Sequence, residues 1–247
     1  MNATTPAATA AAGTTAPIGR IRTLLTGHVQ PYTRAGSRSA IDKQPRGGPV
    51  DLGPLGLQGD EQGSPSVHGG PDKAVHCYAW PNYAPWRQAL AGHALALERL
   101  ARPGAFGENF SLDGMDEQSV CIADQWRVGG AVLEVTQGRQ PCWKLDDRFG
   151  VPGMALRVQD SLRAGWYLRV LEPGPVQAGD RVHLLARPHP HWSIARLLRA
   201  IATRDCTPAT LQAILALPLP PSWRKLFTHR LETGRVEDWA PRLVGRH

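Results

Sequence analysis

Cys142 is the residue in this sequence whose surroundings best suit covalent or metal chemistry. It lies in the stretch RQPCWKL at residues 139–145, where Arg139 and Lys144 flank the thiol within three residues on either side. Nearby cations favour the thiolate, which is the form that attacks electrophiles and binds soft metals. An inert, buried cysteine is the alternative interpretation, and it is the commoner one for an isolated thiol.

A glycine-rich segment, HGGPDK at residues 68–73, predicts a second functional element, an anion-binding loop. Glycines let backbone N–H groups approach a ligand closely, and His68 and Lys73 add side-chain donors. The segment is not a P-loop, because the Gly-Lys-Ser/Thr ending is absent. A tight turn between two strands, with Lys73 at the surface, explains the same residues without a ligand.

A second glycine-rich turn, GAFGENF at residues 104–110, carries a carboxylate and an amide between two aromatic rings. The amide of Asn109 could hydrogen-bond a heterocyclic ring or a phosphate, or it could only close the turn together with Glu108. A zinc site is disfavoured, because the spacing of the candidate histidines and cysteines matches no common ligand pattern. Those candidates are His68, His76, Cys77 and Cys142.

The composition indicates a soluble, arginine-rich protein with reduced thiols. The 247 residues include 28 Lys and Arg against 21 Asp and Glu, and only four of the cations are lysines. Arginine forks suit phosphate and carboxylate groups, although the same excess of charge serves solubility. The four cysteines form no Cys-x-x-Cys pair, which predicts reduced thiols in the cytoplasm. Residues 1–17 fit neither a signal peptide nor a membrane span and are predicted to be a disordered tail.

Short β-rich runs, separated by glycine and proline turns, predict a curled sheet or β-barrel over residues 18–188. The run at 131–136 leads directly into the Cys142 loop, at a strand end where sites are commonly built. Helical inserts are predicted at about 82–90 and 154–162. The predicted strands are at residues 18–25, 75–80, 120–123, 131–136, 166–171 and 181–186.

The apolar period changes to 3.6 residues after Pro190, which predicts three short amphipathic helices over residues 190–247. Ser193, Thr207 and Ser222 are predicted to cap the three helices, and Gly234 to end the third. Short helices cannot bury a face alone, so the three should pack together or onto the barrel. The predicted fold class is therefore mainly β with added helices (α+β), a barrel followed by a three-helix domain.

Four ordered motifs, taken together, resemble those of the MOSC family, the C-terminal-type domains of molybdenum cofactor sulfurases. The resemblance covers about residues 18–235, because the three C-terminal helices are also similar to the small domain of the YiiM-like subgroup. Four motifs in order over such a length are a much more specific signal than any one of them. They lie at residues 57–62, 68–75, 104–110 and 139–145.

The resemblance implies a MOSC-type β-barrel, a molybdenum cofactor (Mo-molybdopterin) and one metal-ligating, catalytic cysteine, which maps onto Cys142. It also implies a molybdenum-dependent oxidoreductase that detoxifies N-hydroxylated compounds, such as 6-hydroxylaminopurine or amidoximes, by reducing them to amines. The glycine-rich loop would hold the cofactor phosphate. The predicted cofactor-binding residues are His68, Gly69, Gly70, Asp72, Lys73, Asn109, Arg139 and Lys144.

Electrons would come from a separate reductase or a small redox protein, because the sequence holds neither a flavin-type Gly-x-Gly-x-x-Gly motif nor an iron–sulfur cysteine cluster. Pyridoxal phosphate belongs to a partner domain of sulfurase-type relatives and is not expected. No membrane partner is expected, and a homodimer is left open. A sulfur carrier with a Cys142 persulfide is the alternative function. Nucleic-acid binding is disfavoured, because the arginines at 194–204 and 223–235 suit the wet faces of packed helices.

Two departures from the family pattern bear on the site. Gly138 stands where a stiff residue is expected, which predicts a more mobile start of the cysteine loop. Residues 37–49 match a family loop near the site, but the sequence assigns no definite role to Lys43 or Arg46.

Overall fold

The computed structural model describes residues 16–63 and 69–245, so the predicted tail at 1–17 lies almost wholly outside the described residues. The strands are β1 (Gly19–Thr26), β2 (Gln30–Pro31), β3 (Arg38–Ser39), β4 (Gln44–Pro45), β5 (Val50–Gly53), β6 (Gly56–Leu57), β7 (Val75–Ala79), β8 (Phe110–Asp113), β9 (Gln125–Val128), β10 (Ala131–Gly138), β11 (Trp166–Glu172), β12 (Gly174–Val176) and β13 (Arg181–Ala186). The α-helices are α1 (Tyr83–Ala89), α2 (Ala94–Arg99), α3 (Lys144–Phe149), α4 (Met154–Ser161), α5 (Ile194–Ala202), α6 (Pro208–Leu215), α7 (Pro221–Thr233) and α8 (Ala240–Leu243).

Seven strands of the described part close into a barrel, because its first and last strands pair with each other. The order around the barrel is β13, β9, β10, β11, β7, β8 and β1, and β1 returns to β13. Neighbouring strands are antiparallel except β7 and β8, which are parallel. Closure pairs both edges of the sheet. The predicted β-barrel with added helices is therefore confirmed.

Aromatic side chains fill much of the core next to the barrel. The rings of Tyr78 and Phe106 stack with their centroids 4.1 Å apart, and Tyr83 meets both rings edge-on. Trp126 of β9 and Trp166 of β11 also pack at right angles. Such rings bury large apolar areas and prefer these stacked and edge-on arrangements. These packed rings stabilise the core beside the barrel strands.

Strand β10 leads from the core to the Cys142 loop, and its end is irregular. Its register with β11 shifts between Val135 and Gln137, just before the strand ends at Gly138. An irregularity of this kind bends a strand and re-aims the residues that follow. The cysteine loop therefore leaves the barrel from a distorted strand end.

The strand predicted at residues 120–123 is wrong. The Asp124 carboxylate accepts a hydrogen bond from the Cys121 N–H at 3.0 Å, and Ala123 has a φ of 59°, so the chain turns here. Val120 and Ile122 are buried in the core, which explains their apolar character, and within the described part of the chain the segment pairs only through an isolated antiparallel bridge between Cys121 and Ser193. The strand in this region is β9, which begins after the turn.

The first two C-terminal helices begin after their predicted caps, whereas the Ser222 cap predicted for the third is wrong, because α7 begins at Pro221 with Pro220 before it. The Ser193 hydroxyl accepts from the Arg196 N–H at the start of α5, α6 follows Thr207, and Gly234 ends α7 with a φ of 64°. Helix α6 packs on α7, and α5 packs on β10 of the barrel. The predicted three-helix domain is confirmed. Within the described ranges, no helix has the length and apolar character needed to cross a membrane.

Candidate functional site

A cavity of about 100 Å³ lies where the Cys142 loop leaves the barrel. Its wall combines loops that are far apart in the sequence but meet at this end of the strands. The cavity brings together five of the nine predicted site residues, namely Lys73, Asn109, Arg139, Cys142 and Lys144. The other described lining residues are Ser39, Ala40, Ile41, Lys43, Asp60, Glu61, Gln62, Gly63, His76, Phe106, Gly107, Gln140 and Tyr167.

The remaining predicted residues belong to the glycine-rich segment. Gly69, Gly70 and Asp72 are not among the described residues that line the cavity. Gly70 has a φ of 94°, which favours glycine, and it precedes a single 3-10 turn. The Asp72 carboxylate instead forms an ion pair with Arg169, with 3.3 Å between Oδ1 and Nε. His68 lies outside the described residues, so its predicted role stays a prediction.

Cys142 is partly exposed, unlike two other thiols of the protein. Cys77 and Cys121 are buried, at 0% and 3% exposure, and burial raises the pKa of both thiols. Cys142 follows β10 through a short loop, and its carbonyl accepts a hydrogen bond from the Leu145 N–H at 2.9 Å. The inert, buried alternative therefore describes Cys77 and Cys121, whereas Cys142 lines the cavity.

Arg139 lines the cavity, and one nitrogen of its guanidinium has no hydrogen-bond partner among the described residues. Its side chain is only 6% exposed, and its Nη1 atom is buried without a hydrogen-bond partner among the described residues. The backbone N–H of Arg139 is held by the Gly165 carbonyl at 2.9 Å, so the residue is fixed in place. A buried charged donor without an acceptor is costly, and an anionic ligand would remove that cost.

Asn109 lines the cavity, but its amide is already engaged within the protein. Its Oδ1 accepts from the His76 N–H at 3.0 Å, and its Nδ2 donates to the Leu25 carbonyl and to Asp60 Oδ2, at 3.2 and 2.9 Å. Both amide protons are therefore used. These contacts support the interpretation that Asn109 holds the turn in place rather than binding a ligand directly. The side chain links the turn to β1, to β7 and to the loop that carries Asp60.

A buried ion pair between Lys43 and Asp60 adds two cavity residues that the sequence left without a role. Their side chains are 7% and 2% exposed, and Asp60 also accepts from the Gly27 N–H at 2.8 Å. Burial lowers the pKa of Lys43, while the attraction of Asp60 opposes this shift. The only sequence signal was the position of Asp60 in a conspicuous Gly-Asp turn and of Lys43 in a family-like loop.

His76 is a neutral cavity residue that the sequence placed only among the zinc candidates. Burial, together with the nearby positive charge of Arg139, holds the pKa of His76 well below its ordinary value. Tyr167 lies next to it, with ring centroids 5.1 Å apart, and burial raises the pKa of Tyr167. Among the described residues, no group of three or more His, Cys, Asp or Glu side chains converges as a metal site.

Lys144 supplies a second cation close to Cys142. Burial lowers the pKa of Lys144, and the attraction of the Cys142 thiolate acts in the opposite direction. The ammonium group donates to the Arg38 carbonyl at 2.7 Å, so it is held at the cavity wall. The predicted cationic surroundings of the thiol are thus present in the folded protein.

Gly138 packs tightly at the start of the cysteine loop, where a mobile position was expected. It pairs with Trp166 in the sheet, and a Cβ atom at this position would lie 2.7 Å from Leu198 Cδ2 and 3.3 Å from Ile194 Cγ2. Such distances leave no room for a side chain. Glycine here permits close packing of α5 on the strand, so the three-helix domain supports the cysteine loop directly.

The fold and the cavity define a class of protein, in which a closed seven-stranded barrel with a C-terminal three-helix domain holds one partly exposed thiol among buried cations. The family model described as MOSC domain matches residues 64–183, and the one described as YiiM-like, 3-alpha helix domain matches residues 192–234. The chain belongs to the MOSC family, in its YiiM-like branch.

Individual relatives agree with this assignment. The chain is 35% identical over 225 residues to Protein YiiM of Escherichia coli (strain K12), covering 90% of this chain and 96% of that protein. The crystal structure of YiiM from Escherichia coli is similar with a TM-score of 0.76 at 28% identity, covering 92% of this chain and 99% of that one. A protein of Gibberella moniliformis called "Reductase" is 38% identical over 197 residues, or 79% of this chain. The chain spans only 34% of that protein's length.

Proposed function

We propose that the protein is a molybdenum-cofactor-dependent reductase of N-hydroxylated compounds, with Cys142 as the metal ligand. The observation that carries the proposal is the partly exposed Cys142 thiol in a cavity where Arg139 presents a buried nitrogen with no described acceptor. Membership of the MOSC family supports a molybdenum cofactor, and the name of the Gibberella relative supports reduction. The substrate class rests on the resemblance alone.

The residues present fit an anionic, sulfur-rich cofactor. Thiolates are preferred ligands of soft metals, and Cys142 has Lys144 close enough to interact with its charge. The unused nitrogen of Arg139 suits a phosphate oxygen, for which arginine is well shaped. Lys73 lies on the same cavity and adds a second cation. The charge of Lys43 is balanced internally by Asp60, so it contributes less to ligand binding.

Each chain residue then has a defined task. Cys142 would ligate the metal, while Arg139 and Lys73 would hold the phosphate of the cofactor. Asn109 and Asp60 would keep the loops around the cavity in register, through the hydrogen bonds they make to one another and to β1. The bound cofactor supplies the two-electron redox chemistry, which with two protons converts an N–OH group to N–H and water. A separate reductase or small redox protein would deliver the electrons.

Metal and activity measurements on purified protein test the proposal. We expect molybdenum and pterin to copurify with the chain, and reduction of 6-hydroxylaminopurine or an amidoxime in the presence of an artificial electron donor. Cys142→Ala should abolish reduction while circular dichroism shows an intact fold. Cys206→Ala, which changes a partly exposed cysteine of the helical domain, is the matched control and should retain activity.

Two results would contradict the proposal. One is full activity of Cys142→Ala with the cofactor still bound. The other is a persulfide mass shift on Cys142 in protein that contains no molybdenum after expression in a molybdate-supplied host. That second result would favour the alternative of a sulfur carrier.

A further inference from the structure

A C-terminal segment at residues 239–245, termed the tail segment, packs directly on the cysteine loop. It follows helix α7 and contains the short helix α8. The Val244 carbonyl accepts from Arg34 Nη1 at 2.6 Å, and the Arg34 guanidinium lies 3.9 Å from the centre of the Trp143 ring. The tail segment is therefore anchored beside the residue that follows Cys142.

Arg242 in the tail segment makes hydrogen bonds on both sides of Cys142. Its Nη1 donates to the Pro141 carbonyl at 2.6 Å, and its own carbonyl accepts from the Trp143 N–H at 2.9 Å. Its Nη2 donates to Gln159 Oε1 of α4, also at 2.6 Å. One residue thus holds the peptide group before Cys142 and the peptide group after it.

We propose that Arg242 is a positioning residue of the Cys142 site, an inference that rests on the proposed role of Cys142 as metal ligand. Arg242 fixes both peptide groups of Cys142, so the backbone that carries the thiol is held at the cavity wall. Its guanidinium also places positive charge next to the cysteine loop, where Nη1 meets the Pro141 carbonyl. Arginine suits both tasks, because it donates in fixed directions and stays charged when buried. The cysteine site is then built from the barrel and from the end of the chain together.

The charge of Arg242 persists in the folded protein. Burial lowers the pKa of Arg242 to about 10, and the attraction of the Cys142 thiolate opposes this shift. The guanidinium is therefore protonated at neutral pH. An independent observation points to an anion in the cavity that Cys142 lines, since Arg139, on the same cavity, is 6% exposed and its Nη1 atom has no described partner.

Alkylation of Cys142 measures this positioning charge without any cofactor. Iodoacetate is anionic and iodoacetamide is neutral, and both react with the thiolate. The rate with iodoacetate divided by the rate with iodoacetamide, at one pH, therefore reports the local electric field and not the thiolate population. We expect Arg242→Gln to lower this iodoacetate-to-iodoacetamide ratio at Cys142 by about twofold or more. Arg242→Lys should retain most of it. Peptide-resolved mass spectrometry separates Cys142 from the other cysteines.

Arg224→Gln is the matched control, because Arg224 also donates to two carbonyls, those of Leu215 and Leu217, but far from the cavity. An unchanged ratio in folded Arg242→Gln, or an equal fall in Arg224→Gln, overturns the proposal. Should Arg242→Gln fail to fold, Gln159→Met decides instead, because it frees one side of the guanidinium. We expect a smaller fall there, and no fall would refute the inference. Molybdenum content of parallel preparations from a molybdate-supplied host reports separately on the proposed function, whereas the alkylation uses cofactor-free protein.

Discussion

Two buried arginines, Arg139 at the cavity and Arg230 in the three-helix domain, are used in opposite ways. Arg230 is fully buried and donates to both carboxylate oxygens of Glu237, at 2.8 and 2.9 Å, and to the carbonyls of Ala200 and Asp205. Arg139 is almost as buried, yet its Nη1 atom has no acceptor among the described residues. Each of the three guanidinium nitrogens of Arg230 therefore has an acceptor, whereas one nitrogen of Arg139 has none among the described residues.

The difference separates stability from binding. A buried charge with every nitrogen hydrogen-bonded ties together the segments that supply the acceptors, as Arg230 does for the ends of α5 and α7. A buried charge with an unused donor costs free energy in the absence of a ligand. Such a cost is expected where a ligand supplies the missing acceptor. On the proposed function, Arg139 binds the cofactor, whereas Arg230 holds the helical domain together.

The largest expected effect is on stability, from Arg230→Met. Removing this guanidinium leaves Glu237 and two carbonyls without their donors, and breaking a buried ion pair costs about 3–5 kcal/mol. We expect about 3 kcal/mol, the lower end, because the Glu237 side chain is 26% exposed. Urea unfolding followed by tryptophan fluorescence measures the loss. A loss below about 1 kcal/mol would mean that the Arg230 contacts are not structural.

The next effect concerns binding, from Arg139→Gln. A hydrogen bond to a charged group contributes about 1.5–3 kcal/mol, so cofactor retention should weaken roughly ten- to hundredfold. Unfolding free energy should stay unchanged or rise, since the variant removes an incompletely paired buried charge. The molybdenum content per chain after gel filtration measures cofactor retention, and urea unfolding measures the free energy of unfolding. The contrast fails if Arg139→Gln destabilises the fold as strongly as Arg230→Met while retaining its metal.

The smallest effect is a pH dependence that belongs to the helical domain. Burial alone would raise the pKa of Glu237, but hydrogen bonds from Arg230 and Trp239 outweigh it, and the pKa lies below its ordinary 4.5. A lowered carboxyl pKa stabilises the folded protein above the ordinary value, and this contribution is lost as the pH falls through the lowered value. We expect a shallower loss of stability below about pH 4.5 in Glu237→Gln. Exposed Glu232→Gln is the control and should follow the unmodified protein.

Much of the architecture was predictable because its causes are local. The leucine-rich faces of α5 to α7, the Ser193 cap and the Gly234 stop all follow from residues a few positions apart. The strand that leads to Cys142, predicted at residues 131–136, was equally predictable from the sequence. The error at residues 120–123 has the opposite cause, since Val120 and Ile122 are apolar for burial against distant segments. Short helices such as α3 and α8 carry too few residues for a detectable period.

The candidate site also has a part that follows from local sequence and a part that depends on the tertiary structure. Residue type and spacing alone singled out Cys142, Arg139, Lys73 and Lys144, because a thiol between cations and a glycine-rich loop have a chemical meaning in any fold. Only the tertiary structure shows that the Asn109 amide is used internally and that Lys43 is paired with Asp60. It alone brings Arg242 to Cys142. Hydrogen-bond partners are decided by positions in space, and residues a hundred apart in sequence meet only once the barrel has closed.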